Sequence, residues 1–65
     1  MKFAPTRNLP DDTPVIDIHL PTRISNGLLD LGLRTVGEIR ETSDGNLLSA
    51  PNLGPSSLRW LRDHF

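Results

Sequence analysis

The residues whose types and spacing could bind a ligand are concentrated in one short stretch, from Asn52 to Ser57. Asparagine and glycine tolerate the backbone angles of a tight turn, and proline suits the first position of a helix. A helix that begins here would direct the backbone N–H groups of Gly54, Ser56 and Ser57 towards an anion such as phosphate. Pro55 lacks an N–H and removes one donor from this set. A turn between two helices uses the same residue types, so this stretch alone leaves both interpretations open.

A second polar group lies upstream, on a predicted helix. Arg23, Asn26 and Asp30 are three and four residues apart, so they share one face of that helix. Arginine and asparagine side chains can bind phosphate or the edges of bases. Exposed helix faces also carry polar residues without any ligand. From the spacing alone, this face is either a binding surface or a solvated one.

The first two predicted helices position these groups. The first begins at Pro21 or Thr22, with Thr22 as a possible cap, and ends at Gly32 as a left-handed stop. Its apolar stripe would be Ile24, Leu28 and Leu31. The second begins with a capping box formed by Thr35 and Glu38, runs to about Glu41 and buries Val36 and Ile39. Gly37 within it lowers helix stability and predicts the close approach of another helix.

The last two predicted helices flank the stretch from Asn52 to Ser57, which would form a hairpin between them. Ser43 caps the third helix, and Asp44 follows it in the first turn, where a carboxylate suits the helix dipole. This helix carries Leu47 and Leu48 and ends before Pro51. The fourth helix begins at Pro55 or Ser56, and its apolar stripe would be Leu58, Leu61 and Phe65. The pattern predicts an all-α fold of four short helices without a sheet.

An extended arm is predicted before the first helix. Val15 to Leu20 alternates apolar and polar residues after Ile16, which is typical of an extended segment with one buried face. The positions predicted to face the helices are Ile16, Ile18 and Leu20, with Asp17 and His19 in water. Residues 1–14 contain three prolines and few apolar side chains, so they are predicted to form a flexible tail or linker. Phe3 is the one large apolar residue of that tail and could dock on the domain.

Composition excludes several classes of protein. The chain has 65 residues, no cysteine and two histidines, His19 and His64, one near each end of the predicted domain, so we predict no disulfide, metal or cofactor site. Seven Lys and Arg balance eight Asp and Glu, so any phosphate binding must come from local placement of charge. No apolar run reaches membrane-spanning length and no signal peptide is evident, which predicts a soluble, cytoplasmic protein, monomeric on its own. No nucleophile–base pair is evident, which predicts a non-catalytic domain.

From about Ile18 to Phe65 the sequence resembles the carboxy-terminal domain of the bacterial RNA polymerase α subunit. The resemblance extends without a gap over nearly all residues beyond the tail. A short hairpin can match by chance, but its occurrence at the right distance after an Arg-x-x-Asn motif is much more specific. The matching residues are Arg23 with Asn26, Leu33 to Ile39, Asn46 to Ala50, Pro51 to Gly54, and Ser57 with Leu58.

The resemblance implies a compact helical domain over residues 15–65, with a pair of helix-hairpin-helix-like elements and a preceding extended arm. It also implies binding to the minor groove of A·T-rich double-stranded DNA, and contacts with RNA polymerase, sigma factor and transcription activators. Arg23 would enter the minor groove, where a narrow A-tract concentrates negative potential. Asn26 would be its polar neighbour. The residues that would contact the DNA backbone are Asn52, Gly54 and Ser57.

Four positions depart from the family pattern. Leu29 and Ser56 stand where the family has lysines, and Asp30 replaces a purely hydrocarbon side chain. Trp60 replaces a glutamate. Each lost phosphate contact weakens binding and lowers its salt dependence, so the two lost lysines and the added carboxylate of Asp30 predict much weaker DNA binding than in the family, or none.

Trp60 supports a second hypothesis. The same fold could serve as a protein-interaction module that docks on polymerase, sigma factor or a regulator, because tryptophan is favoured at binding hot spots. For this role the ring must be exposed. Alternatively, the ring folds against the arm between Ile16 and Leu20 and adds to the core. The neutral charge and the lost lysines favour the interaction module, whereas DNA binding is favoured by the retained Arg23, Asn26, Asn52 and Gly54.

Overall fold

Four α-helices follow an N-terminal segment in the computed structural model, which describes residues 2–65. Met1, part of the predicted tail, lies outside the described residues. A 3₁₀ turn at Val15–Asp17 precedes the helices, which are α1 (Thr22–Asp30), α2 (Val36–Glu41), α3 (Asp44–Leu48) and α4 (Pro55–His64). Between residues 2 and 65, β pairing is limited to isolated bridges that join Phe3 to Ile18 and Pro14 to Thr35. The prediction of an all-α fold with four short helices is therefore confirmed.

Two of the three predicted N-terminal caps form, and the predicted stop of α1 is also found. Gly32 ends α1 with a φ of 74°, a left-handed angle that glycine adopts without strain. The Thr35 hydroxyl accepts a hydrogen bond from the Glu38 N–H at 3.3 Å, and the Ser43 hydroxyl accepts one from the Asn46 N–H at 3.2 Å. Thr22 does not cap α1; Pro21 occupies the cap position and makes no side-chain hydrogen bond there.

Each helix contributes at least one fully buried residue to the core. Leu28, Ile39, Leu47 and Leu61 come from α1, α2, α3 and α4 in turn, and each has 0% exposure. Leu53 joins them from the loop between α3 and α4. Burial of one such side chain stabilises the fold by about 1.5 to 3 kcal/mol. Leu53 thereby ties this loop to the helices that it connects.

The arm buries a different set of residues from the one predicted. Val15 and Ile18 are both 2% exposed, whereas Ile16 is 69% exposed, so the prediction that Ile16 faces the helices is wrong. The segment begins with a 3₁₀ turn, in which residues three apart point the same way, rather than with an extended strand of period two. Ile18 is buried as predicted. Ile16 is left as an exposed apolar side chain.

Residues 3–14 make specific hydrogen bonds to the helical part of the protein. The Phe3 N–H donates to the Asp17 carbonyl at 2.6 Å, and the Phe3 carbonyl accepts from the His19 N–H at 2.8 Å. The Arg7 guanidinium donates to the Asp63 carbonyl, near the end of α4, at 3.2 Å. The proposal that residues 1–14 form a flexible tail concerns motion and stays a prediction. These hydrogen bonds favour an ordered segment instead.

The same segment explains Gly37. A side chain at this position would bring its Cβ atom within 2.9 Å of the Asp11 Cβ atom, so a close approach exists, as predicted. The approaching element is the N-terminal segment, however, and not another helix. The Gly37 N–H donates to the Asp11 carbonyl at 2.8 Å, and the Asp11 carboxylate pairs with Arg40 on α2. Within residues 2–65, no helix is long and apolar enough to span a membrane.

Candidate nucleic-acid interface

The hairpin between α3 and α4 is anchored by its central leucine. Leu53 is 3% exposed, and its N–H donates to the Ala50 carbonyl at 3.0 Å, which closes the turn. Ala50 is equally buried. The residues on either side of Leu53, Asn52 and Gly54, are only half-buried. The buried Leu53 side chain therefore fixes the loop to the core, while the backbone at Asn52 and Gly54 stays accessible to solvent.

Gly54 is not required by the shape of this turn. Its φ of −107° and ψ of −174° are extended angles that any residue can adopt. A Cβ atom built at Gly54 would have no atom within 4 Å. The prediction that glycine supplies an unusual turn angle here is wrong, because Gly32 is the one residue with positive φ among residues 2–65. Neither backbone conformation nor internal packing accounts for the missing side chain.

Gly54 also precedes a helix start that no side chain caps. Helix α4 begins at Pro55, and no side-chain oxygen accepts a hydrogen bond from its first turn. Ser56 is exposed and Ser57 is half-buried in that turn. The backbone N–H groups of Ser56 and Ser57 have no intrahelical acceptor, because the first donors of any α-helix lack one. They remain available to an anion, with the positive end of the helix dipole behind them.

Helix α1 packs directly against the hairpin through Gly27. A Cβ atom at Gly27 would lie 2.5 Å from the Leu53 Cγ atom, so only glycine allows this approach. The adjacent residue, Asn26, is exposed at the edge of this contact, and Arg23 is exposed one turn earlier on the same face. The contact between Gly27 and Leu53 therefore joins the two polar groups of the sequence into one surface.

A hydrogen bond also links the two groups. The Asn52 side-chain amide donates to the Asp30 carboxylate at 3.4 Å, across the contact between hairpin and α1. Asp30 thus places a negative charge within the surface and engages a donor that a phosphate oxygen could use. It also lies at the C-terminal end of α1, where the helix dipole disfavours a carboxylate.

The seven basic residues divide into structural and free ones. Arg62 pairs with Asp44 at 2.7 Å and donates to the Thr42 carbonyl at 2.6 Å, which ties α4 to the junction of α2 and α3. Arg40 and Arg7 hold the N-terminal segment, as described above. The exposed basic side chains that make no ion pair or side-chain hydrogen bond within residues 2–65 are Lys2, Arg23, Arg34 and Arg59. Arg23 is therefore free to contact an external anion.

Trp60 is half-buried and packs against the core. Its ring stacks on His64 with centroids 4.0 Å apart and an interplanar angle of 19°. Phe65 meets its edge at 6.3 Å. The aromatic neighbours of Trp60 thus lie at the end of α4, and the ring is not the freely exposed anchor that the protein-interaction hypothesis requires.

The sequence patterns did not predict two features of this surface, the hydrogen bond of Asp30 and the role of Gly27. The spacing of Arg23, Asn26 and Asp30 placed the aspartate on the correct face, but it did not indicate that Asp30 bonds to Asn52. The role of Gly27 did have a signal: it is a glycine inside a helix, as Gly37 is, and both positions contact a neighbouring segment. Among the described residues, no group of three or more His, Asp or Glu could hold a metal ion.

Comparison with known proteins identifies relatives. The family model for the C-terminal domain of the bacterial RNA polymerase alpha subunit matches residues 5–63. The sequence is 38% identical over 52 residues to the DNA-directed RNA polymerase subunit alpha of Roseiflexus sp. (strain RS-1). The same identity holds for the subunit of Roseiflexus castenholzii (strain DSM 13941 / HLO8). No solved structure matches this protein.

The matched region is a small part of these relatives. It covers 80% of this protein but 16% of each relative. The family match, in contrast, extends from the N-terminal segment through α4, so it includes both the arginine face of α1 and the hairpin. The protein therefore belongs to the family of carboxy-terminal domains of the bacterial RNA polymerase α subunit.

Proposed function

We propose that this domain is a non-catalytic, DNA-binding module that acts in transcription. Arg23 enters the minor groove of A·T-rich DNA, with Asn26 beside it. Asn52, Gly54 and Ser57 contact the phosphate backbone. The observation that carries the proposal is the glycine at position 54, which the fold itself does not need.

Gly54 supports the proposal because a missing side chain allows an external group to approach the backbone. A glycine with extended angles and open space around it has no internal reason to lack a Cβ atom. The N–H groups beyond it, at Ser56 and Ser57, are donors suited to a phosphate oxygen. A close approach of DNA to this backbone accounts for both features.

The two halves of the proposed interface act together. Gly27 allows α1 to touch the hairpin, so Arg23 and Asn26 belong to the same surface as Asn52. Backbone contacts at the hairpin fix the position of the domain, and the free guanidinium of Arg23 reads the narrow groove. Binding should be weak, because Asp30 adds a negative charge and the surface carries few cations.

The alternative function, docking of a protein partner through Trp60, has less support. The ring is half-buried and already stacked on His64. A hot-spot tryptophan gains its energy by moving from water into a partner's pocket, and Trp60 has less surface left to bury. The relatives are named as subunits of an RNA polymerase, so we further propose that polymerase, sigma factor or an activator is the protein partner of this module.

A titration tests the DNA-binding proposal. The ¹⁵N-labelled domain is mixed at low salt with a duplex that contains an A-tract, and separately with a mixed-sequence duplex. We expect amide shifts at Arg23, Asn26 and Gly54 to Ser57, larger with the A-tract and reduced by added salt. Absence of any shift at millimolar domain concentration would rule the proposal out.

Arg23→Ala should remove these shifts while the melting temperature stays unchanged, because the Arg23 guanidinium is exposed and makes no internal hydrogen bond. Arg59→Ala is the matched control, since Arg59 is an exposed, unpaired arginine on α4. A large fall in melting temperature for Arg23→Ala would instead mean that Arg23 is structural. Equal losses of binding for both variants would mean that only net charge matters.

A further inference from the structure

Exposed apolar side chains gather at one place beside the proposed DNA surface. Of the four large hydrophobic residues that are exposed within residues 2–65, Ile16 and Leu29 are the most exposed, at 69% and 52%. Both line an open pocket with a cavity volume of about 360 Å³. Pro14 and Leu33 complete its apolar wall, and the single charged residue in the lining is Arg34.

The walls of this pocket are held by backbone hydrogen bonds. The Val15 N–H donates to the Arg34 carbonyl at 2.8 Å, and Pro14 and Thr35 form an antiparallel bridge. On the other side, the Leu33 N–H donates to the Leu28 carbonyl at 3.0 Å, just after the left-handed turn at Gly32. The pocket is therefore already formed in the free domain, so a ligand would not have to order its walls.

The charge in the lining indicates what the pocket would accept. The Arg34 guanidinium is exposed and makes no ion pair or side-chain hydrogen bond with any residue from 2 to 65. A free arginine beside an apolar wall complements a carboxylate that neighbours a bulky apolar side chain. A small-molecule site would need several convergent polar groups, and this lining offers one charged group only.

We propose that this pocket, lined by Pro14, Ile16, Leu29, Leu33 and Arg34, docks an acidic, apolar peptide segment of a partner protein. Bulky aliphatic or aromatic residues of the segment cover Ile16 and Leu29. An aspartate or glutamate beside them pairs with Arg34. Burial of exposed apolar surface supplies the affinity, and the arginine supplies the preference for acidic segments.

The pocket borders the proposed DNA surface, because both use α1. Leu29 lies about 120° around the helix from Arg23 and about 60° from Asn26, at 3.6 residues per turn. Around α1 the order of side chains is Leu29, Asn26, Arg23 and then Gly27, where the hairpin packs. None of the proposed DNA-contacting residues lines the pocket, so the proposal does not depend on DNA binding.

The test uses the 65-residue protein, labelled with ¹⁵N, and a blocked octapeptide built from leucine, phenylalanine and aspartate. One control peptide carries lysine in place of aspartate, and another carries serine in place of the apolar residues. We expect amide shifts at Val15, Ile16, Leu29 and Leu33 to Thr35 with the first peptide and none with the controls. Equal binding of the lysine peptide, shifts confined to Trp60 and the end of α4, or no shifts at millimolar peptide would each overturn the proposal.

Two variants and two matched controls sharpen the result. Arg34→Gln should weaken the acidic peptide about fivefold, because one exposed ion pair is lost. Leu29→Ser should weaken it by at least about fivefold through lost apolar contact. Arg59→Gln changes a free arginine outside the pocket, and Leu48→Ser changes a leucine that is 41% exposed on α3. These controls should bind the acidic peptide within about twofold of the parent protein, since surface changes elsewhere have small effects. A loss of affinity in the controls equal to that in the pocket variants would overturn the proposal.

Discussion

At Gly54 the absence of a side chain has no internal cause, which makes this residue the most direct probe of the hairpin. Gly54→Ala should leave the fold intact, because the backbone angles suit alanine and no atom lies within 4 Å of the added Cβ atom. Its melting temperature should equal or slightly exceed that of the parent. DNA binding should fall by about tenfold or more, because the methyl group separates the backbone from the phosphate.

The two measurements for Gly54→Ala separate the possible roles of the glycine. Thermal unfolding reports on the fold, and the A-tract titration reports on binding. Gly45→Ala on α3 is the matched control, since it too has open space around the added Cβ atom. Unchanged binding in Gly54→Ala would remove the main support for the phosphate contact.

Asp30 is a residue at which binding and stability should improve together. Asp30→Asn removes a negative charge from the proposed DNA surface and from the C-terminal end of α1. We expect about threefold tighter DNA binding at low salt, with the gain shrinking as salt increases. Stability should rise by about 0.3 to 1 kcal/mol through the helix dipole. Fluorescence anisotropy with a labelled A-tract duplex and thermal unfolding measure the two effects.

Glu41→Gln provides the charge-matched control for Asp30→Asn. Glu41 is exposed at the end of α2, and its substitution changes the net charge by the same amount. A gain in DNA affinity limited to Asp30→Asn would indicate a local effect. Equal gains in both variants would mean that Asp30 acts through the overall charge and not through its contact with Asn52.

At the scale of elements, the contact between α1 and the hairpin depends on Gly27. Gly27→Ala would place a Cβ atom 2.5 Å from the Leu53 Cγ atom, in a core where Leu53 cannot move freely. Such overpacking costs about 1 to 3 kcal/mol, which lowers the melting temperature by roughly 4 to 8 °C per kcal/mol in a domain of this size. Calorimetry of Gly27→Ala beside Gly45→Ala separates this clash from a general effect of removing glycine. A stabilised Gly27→Ala variant would contradict the close packing.

The N-terminal segment gives a second prediction at this scale. Two N–H groups at the start of α2, those of Val36 and Gly37, donate to the carbonyls of Thr13 and Asp11. Removal of residues 2–14 takes away both acceptors and the cover that they form, and each lost hydrogen bond costs about 0.5 to 1.5 kcal/mol. The truncated protein should melt at least about 10 °C lower than the parent.

A shorter truncation distinguishes the ordered segment from the predicted flexible tail. A protein that lacks residues 2–9 keeps the carbonyls of Asp11 and Thr13 and loses the contacts of Phe3 and Arg7. It should lie between the parent and the longer truncation in melting temperature. If both truncations melt with the parent, residues 1–14 are a mobile tail as the composition suggested.

For the whole molecule, size and charge limit how strongly DNA can be held. The domain measures 28 × 20 × 20 Å, so it spans less than one turn of duplex DNA. Three of its seven basic residues serve the fold, through Arg7, Arg40 and Arg62. The logarithm of the binding constant should therefore fall with the logarithm of salt concentration with a slope of only about −1 to −2.

Anisotropy titrations between low and moderate salt measure this slope directly. Arg23→Ala should reduce its magnitude by about one, because one phosphate-neutralising group is lost. Arg34→Ala should leave the slope unchanged, because Arg34 lines the apolar pocket and not the DNA surface. A slope steeper than about −4 would mean that more cations contact DNA than this surface supplies.

Local patterns in the sequence were sufficient for the helices and for most of the core. Helix caps, helix stops and apolar spacing act through neighbours within a few residues, so each can be predicted without knowledge of the fold. Examples are the caps Thr35 and Ser43, the stop at Gly32, and the buried Leu28 and Leu61. The arginine face of α1 and the hairpin were recognisable for the same reason.

What the sequence by itself determined was the set of helices, the all-α class and the residues of two candidate binding groups. Only the tertiary structure decided how the groups combine: Gly27 against Leu53, Asp30 on Asn52, and an N-terminal segment bonded to α2. The physical reason is sequence distance. Helix periodicity and caps depend on residues three or four apart, whereas these contacts join residues more than twenty apart, and their geometry follows from how the whole core packs.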